Sequence, residues 1–318
     1  MQQRRFKIKQ LLLALFCILT ITNIAIYFFR DRFAYFPYTS YSSLYGTCNK
    51  PCRDNWKQFI DDYPTNDLPE AKKVTNSILQ PAPNHTIDKV LKLAGFLQEK
   101  FKARIGKPTE SLNIASPLDQ YKMLCENESA ELWCGNFANM FAFFCWAEGI
   151  PCRIIEIMNP GDHHVINECY IPETNKWVMV DITTNQLLTQ TLDNQFLNVL
   201  EFKASLSDST PLVMVRAKGK TVWTDTNISK PTYLNKYYKK DNPLYYYHRI
   251  NNAEVYKPML KLYRYIFPVS WFKIIAEKKH SNFPFYLKQF AILLWTIAGL
   301  LLIIVKLKGK IKKRPSAI

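Results

Sequence analysis

Residues 11–29 form a run of 19 without a charged side chain. As a helix rising 1.5 Å per residue, such a run covers about 28 Å, close to the hydrocarbon thickness of a bilayer. A cleaved secretory leader is the rival reading, but its apolar stretch is shorter and ends in small residues of A-x-A type. Here the run ends in Tyr27-Phe28-Phe29-Arg30. Residues 289–305 form a second uncharged run, flanked by Lys288 and Lys306, which can snorkel. No polar face alternates through residues 300–305, which argues against an amphipathic helix on a protein core. The expectation is a two-pass membrane protein with transmembrane helices at 11–29 and 289–305.

The net charge of +16 would ordinarily raise a nucleic-acid partner. Its placement argues otherwise. Arg4, Arg5, Lys7 and Lys9 precede or enter the first run; Lys306, Lys308, Lys310, Lys312, Lys313 and Arg314 follow the second, and neither end carries an acid. Ten of the sixteen excess charges therefore sit on two tails, and the middle is only mildly basic. Lys- and Arg-rich flanks stay cytoplasmic. Both tails, 1–10 and 306–318, are expected there, with residues 30–288 periplasmic, extracellular or luminal and no nucleic-acid partner.

Of the eight cysteines only Cys17 lies in an apolar run; Cys48, Cys52, Cys125, Cys134, Cys145, Cys152 and Cys169 occupy the outer segment, a compartment that permits disulfides. Their odd number leaves at least one thiol unpaired or paired between chains, and spacing does not choose among the connectivities. Cys48 and Cys52, with three residues including Pro51 between them, read as a local disulfide. A redox pair uses C-x-x-C at a helix start, which the proline opposes. No further ligands stand at zinc spacing and no calcium loop is present, so no metal or other cofactor is expected.

Residues 30–80 read as a loop-rich linker. Thr86 is placed to cap a helix whose Ile87, Val90, Leu91, Ala94, Leu97 and Phe101 make one stripe of a 3.6-residue period, and Gly106 ends that unit. Residues 107–132 read as polar and irregular. Residues 134–148 are apolar nearly all round, which suits a helix buried at the centre of a domain; Gly149 is placed as its C-terminal cap and Pro151 forbids continuation. Three strands follow at 152–158, 164–171 and 177–181, the first two joined by the turn Asn159-Pro160-Gly161-Asp162. Helices followed by consecutive antiparallel strands predict an α+β fold. In the extension 191–288, Tyr233, Tyr237, Tyr238, Tyr245, Tyr246, Tyr247, Tyr256, Tyr263, Tyr265, Trp271 and Phe272 interleave with Lys and Arg. They read as juxtamembrane packing, with stacking on a sugar or polymer as the second reading.

A thiolate is the reactive form of cysteine, and a helix N-terminus favours it through its partial positive charge. Cys134 opens the buried helix, His164 opens a strand 30 residues later, and Asp181 closes the next strand 17 residues on. The order is that of nucleophile, base and orienter of the base. His163 is the alternative base, and Glu168 reads as a structural hydrogen-bond partner. Taken singly, such a Cys is more often half of a disulfide, such a His structural, and such an Asp a turn cap.

At these residues the chain resembles the transglutaminase-like superfamily, whose core is a papain-like cysteine fold. The family's first motif sets a nucleophilic Cys at a helix start and leads into Gly-Ile-Pro-x-Arg, matched by Cys134 and by Gly149-Ile150-Pro151-Cys152-Arg153. The second, His followed four residues later by Glu, is matched by His164 and Glu168. The third, an aromatic, three residues and Asp-x-Thr, is matched by Trp177, Asp181 and Thr183. The resemblance covers about residues 81–190. Leu132 stands where the family often has Gly, and Ile166 where it often has an aromatic. The resemblance implies Cys134, His164 and Asp181 as catalytic residues, with the Cys134 backbone N–H in the oxyanion hole beside a side-chain donor among Asn127, Ser129 and Trp133. It implies a peptidase, amidase or acyltransferase working through a thioester on protein, peptide or cell-envelope amides. Two other readings stand beside this one: a non-catalytic module that binds a membrane partner or surface polymer, and a thiol–disulfide protein using Cys48 and Cys52.

Overall fold

The computed structural model describes residues 2–35, 37–40, 44–49, 52, 66–184, 188–208, 210–218, 221–225, 236–247, 258–267, 272–275 and 281–311. In chain order the elements are α1 (Gln2–Phe28), β1 (Tyr38–Thr39), α2 (Asp67–Ile78), α3 (Thr86–Phe101), α4 (Glu110–Ile114), α5 (Pro117–Glu126) and α6 (Cys134–Ala147). Then come β2 (Cys152–Asn159), β3 (Asp162–Ile171), β4 (Lys176–Val180), β5 (Leu188–Thr191), α7 (Val199–Ser207), β6 (Leu212–Lys218) and β7 (Thr221–Asp225). The last are β8 (Leu244–Tyr247), α8 (Pro258–Ile266), β9 (Phe272–Ile275) and α9 (Phe283–Ile311). The chain forms two compact units: residues 1–37, 257–270 and 280–318, and residues 38–256 with 271–279.

The first unit holds two helices long and apolar enough to cross a membrane, over Lys7–Phe28 and Phe283–Lys308. They pack on each other: Phe16 stacks on Trp295 at 5.5 Å, and the Trp295 indole N–H donates to Thr20 Oγ1 at 2.8 Å. Gly299 brings the backbone close to Phe16, whose ring would lie 3.2 Å from an added Cβ. The second helix begins before the uncharged run at 289–305. Lys288 does not end it, because its ammonium lies over the rings of Tyr265 and Phe285, at 4.4 and 4.5 Å.

The second unit is α+β, as its pattern predicts. Its main sheet has the order β1-β9-β8-β2-β3-β4, antiparallel apart from the β1–β9 pair; β5-β6-β7 form a smaller antiparallel sheet. The side-chain period of two sends Ile154, Cys169, Ile171, Val178 and Val180 into one core with Phe137, Phe141 and Phe144 of α6. Alternate residues, among them Ile155, Ile166, Tyr170, Trp177 and Met179, pack with Phe202 of α7 and Tyr238 on the other face. At Gly95 the backbone of α3 meets β6 so closely that a Cβ would lie 2.9 Å from that of Ala217. Cys48 and Cys52 are joined as a disulfide.

Several expectations need correction. Residues 107–132 are not irregular. Thr109 and Ser116 accept hydrogen bonds from the N–H groups of Leu112 and Asp119, capping α4 and α5, and Pro117 takes the first helical position. The linker 30–80 contains α2, whose Leu68, Ala71, Val74, Thr75 and Ile78 share a face. Thr86 is inside α3 rather than its cap; its N–H donates to Glu173 Oε1 at 2.7 Å, so a carboxylate from the β3–β4 turn does the capping. The extension 191–288 is not one juxtamembrane segment. Tyr245 and Tyr246 pair with Glu156 and Ile155 in the main sheet, whereas Tyr263 and Tyr265 lie in α8, in the unit of the apolar helices. Tyr233, Tyr256 and Trp271 lie outside the described residues.

Candidate active site

Cys134 is the first residue of α6, partly exposed, and preceded by the exposed Trp133. The helix start is held by buried amides: Asn136 Oδ1 accepts from the Trp133 N–H at 2.9 Å, and Asn136 Nδ2 donates to Gln120 Oε1 at 3.2 Å. The first backbone N–H groups of a helix have no acceptor within it, so the thiol sits at a partially positive terminus. A Cβ built at Gly135, the next residue, would meet nothing within 4 Å, so that side of the helix start is open.

His164 is on β3 and Asp181 follows β4. The register pairs Asn167 with Val180, so His164 and Asp181 are diagonal neighbours on one sheet face. His164 Nε2 lies 2.8 Å from Asp181 Oδ2, and the Cys134 side chain is near enough to the ring to act on its titration. With Nε2 committed to the carboxylate, Nδ1 is the nitrogen left for the thiol. His163, one residue earlier, faces the other way and is exposed, 3.9 Å from Glu156.

Asp181 is 0% exposed and His164 5%. Burial alone would lower the imidazolium pKa, but the charge and hydrogen bond of Asp181, with a smaller contribution from Cys134, hold it at about 10. Burial alone would raise the Asp181 pKa; His164, Thr184 and Tyr238 together hold it below the ordinary carboxylate value. At neutral pH the pair is an imidazolium and a carboxylate.

Two tyrosines complete the site. The Tyr238 hydroxyl donates to Asp181 Oδ2 at 2.8 Å, and the Tyr237 ring lies 5.1 Å from that of His164. Tyr237 donates to Asp162 Oδ2 at 2.5 Å, and Lys236 pairs with the same oxygen. Sequence reasoning placed both tyrosines in a membrane-facing segment; their only local signal was adjacency in an aromatic-basic stretch. Of the expected oxyanion donors, Asn127 and Ser129 are exposed and bonded to one another, whereas Trp133 adjoins the thiol.

Residues 72–182 match the family model of the Transglutaminase-like superfamily. This stretch is a transglutaminase-like core. A solved structure of a candidate cysteine protease from Cytophaga hutchinsonii is similar at 22% identity, over 39% of this chain and 44% of its own, with a TM-score of 0.29. The chain thus spans under half the length of that neighbour. No curated protein matches it. The superfamily matched by residues 72–182 contains cysteine hydrolases and transferases and also non-catalytic members.

Three further motif residues, Arg153, Glu168 and Trp177, meet at a second place in the sheet. Arg153 and Glu168 are opposite partners on β2 and β3, and both Nε and Nη2 of Arg153 donate to Glu168 Oε2, at 2.8 and 2.6 Å. Trp177 covers the guanidinium at 3.9 Å and Tyr45 at 4.5 Å. Glu168 Oε1 accepts from the Val199 N–H at 2.8 Å and the Tyr45 hydroxyl at 3.2 Å. The two departures from the family pattern, Leu132 and Ile166, are both buried core residues.

Proposed function

We propose that this chain is a membrane-anchored cysteine hydrolase that cleaves amide bonds, with Cys134 as nucleophile, His164 as acid and base, and Asp181 as the group that orients His164. The observation that carries this reading is the buried His164–Asp181 pair beside a partly exposed thiol at a helix start. The Cys134 thiolate adds to the amide carbonyl, and the tetrahedral oxyanion forms over the helix start, where the Cys134 N–H can receive it. His164, protonated by virtue of Asp181, gives its proton to the departing amine and leaves a thioester. The neutral imidazole then takes a proton from water, which attacks the thioester, releases the acid and regenerates the thiolate–imidazolium pair. An amine in place of water gives acyl transfer. Proteins, peptides and cell-envelope amides are the substrate class. The cation-rich tails support a topology with both termini in the cytoplasm and the catalytic unit on the far side.

The test is iodoacetamide labelling of the native protein against pH, read by mass spectrometry, with the exposed free thiol of Cys125 as internal reference. Cys134 is expected to label selectively below pH 7, and His164→Ala to abolish that advantage. Equal labelling of Cys134 and Cys125 at pH 6 in both proteins would overturn the catalytic reading in favour of the non-catalytic module. Reporter fusions after residue 200 and at the C-terminus should report opposite sides of the membrane; the same side for both would remove the second span.

A further inference from the structure

Three cysteines that the proposed chemistry does not use meet in the core beneath the sheet. Cys145 lies near the end of α6, Cys152 opens β2 and Cys169 is on β3; none is more than 1% exposed, and their sulfurs all lie within 4.8 Å of one another. Cys152 and Cys169 are direct cross-strand partners. The Tyr170 N–H bonds the Pro151 carbonyl at 2.9 Å, which makes the next pair, Cys152 with Cys169, a non-hydrogen-bonded one whose side chains lie close together. Cys145 reaches the same face from the helix above, with its Sγ 3.8 Å from that of Cys169.

Three thiols so placed can be a metal site, one disulfide with an odd thiol, or three small core side chains. A structural zinc takes four ligands, and among the described residues the cluster has three. Three thiolates around a divalent ion would also leave a net negative charge among Phe141, Phe144, Ile154 and Val178, and Arg153, which follows Cys152 in the chain, is already paired with Glu168. A disulfide leaves no charge in the core. The Cys48–Cys52 bond lies in the same compact unit, so an oxidant that forms the one can reach the other during folding.

We propose that Cys145 and Cys169 form a disulfide in the mature protein and that Cys152 remains as a buried thiol. The two thiols lose two electrons and two protons to a disulfide-bearing donor, which leaves as two thiols; one S–S bond forms in the protein and one breaks in the donor. Because both sulfurs are sealed in the core, the bond forms before α6 closes over the sheet. Its consequence is positional. The helix that presents Cys134 at its start becomes tied covalently to the strand that presents His164, independently of whether those residues catalyse anything.

The test is disulfide mapping of the full chain, lysed under denaturing conditions with N-ethylmaleimide so that thiols are trapped as they stood. The expected result is a linked peptide pair through Cys145 and Cys169, with Cys152 recovered as the alkylated thiol. Recovery of Cys145 and Cys169 both alkylated overturns the proposal, whatever the state of Cys48 and Cys52. A dominant Cys152–Cys169 link, or an ion retained on the three thiolates in native mass spectra, overturns it equally. Cys152→Ala, which removes only the odd thiol, should keep the link at full yield. The double variant Cys145→Ala/Cys169→Ala should lose roughly ten degrees of Tm relative to it; equal Tm values would also count against the bond.

Discussion

The main sheet carries two buried ion pairs, and their contrast separates a site from a scaffold. Arg153 and Glu168 face each other on β2 and β3, roofed by Trp177 and Tyr45, with side chains at most 1% exposed. His164 and Asp181 sit as diagonal neighbours near the ends of their strands, equally salt-bridged but beside a thiol at a helix start. The first pair uses a guanidinium that never deprotonates in this range, and both its partners are held by fixed donors and acceptors. The second uses an imidazole, whose proton can be given away, and opens onto space beside Gly135. Burial and charge are common to both; a transferable proton next to a thiol belongs to one.

Substitutions should divide along that line. The largest effect is expected from Cys134→Ala: loss of amide cleavage by about ten thousandfold or more, with Tm nearly unchanged, since the thiol is at a half-open helix start. Comparable loss of Tm would mean that the thiol is structural. Asp181→Asn should follow, lowering the rate by about a hundredfold to ten thousandfold. Its pH signature is specific. The folded His164 pKa is raised to about 10, so the pair's contribution to stability is full below the ordinary histidine value of 6.5 and is lost as pH rises through about 10. The Asp181 pKa is lowered, so its contribution is present above the ordinary value of 3.8 and is lost as pH falls through the folded one. Tm profiles of wild type and Asp181→Asn should therefore differ most between about pH 4 and 6.5 and converge above about pH 10. The alkaline limb of activity should move down in the variant. Parallel profiles would sink the assignment of Asp181 as the source of the shift.

Glu168→Ala tests the scaffold pair. It strands a buried guanidinium and removes the acceptor of the Val199 N–H, so about 3–5 kcal/mol of stability should be lost. In a unit of this size that is roughly ten degrees of Tm. Below the melting transition, the selectivity of Cys134 for iodoacetamide at pH 6 should stay near wild type. A variant that folds with unchanged Tm but unreactive Cys134 would reverse the roles of the two pairs.

How much of this was legible in the sequence follows from the range of the forces involved. The α6 helix, its Gly149 cap at φ +72° and the three following strands are local features, written in periodicity and turn chemistry, and they appear close to their predicted bounds. So did the order of Cys134, His164 and Asp181, although the register that sets the last two side by side was not derivable from the residues. α2 was passed over because a stripe of Leu68, Ala71 and Val74 is diluted by Lys72 and Lys73, and α4 and α5 because short helices show themselves chiefly in their Thr109 and Ser116 caps. Tyr237 and Tyr238 could not be read at all. They reach His164 and Asp181 from more than fifty residues beyond, a distance that only chain folding removes.

Tyr238→Phe gives the smallest expected effect and the finest test of the contrast. Phenylalanine keeps the ring that packs edge-on against Phe202 at 4.9 Å, and removes only the hydroxyl that donates to Asp181 Oδ2. A hydrogen bond to a charged group is worth about 1.5–3 kcal/mol, and here the carboxylate keeps His164 and the Thr184 N–H. Activity should therefore fall by no more than about tenfold and Tm by a few degrees. Losing a donor to the carboxylate makes Asp181 easier to protonate, so the acid limb should move up while the alkaline limb, set by His164, stays in place. That is the opposite limb from the one Asp181→Asn shifts. Tyr237→Phe is the control, because its hydroxyl serves Asp162 rather than Asp181 and its loss should leave both limbs alone. If Tyr238→Phe moves neither limb, the tyrosine is part of the packing on that face of the sheet, and the positioning of Asp181 rests on His164 and Thr184.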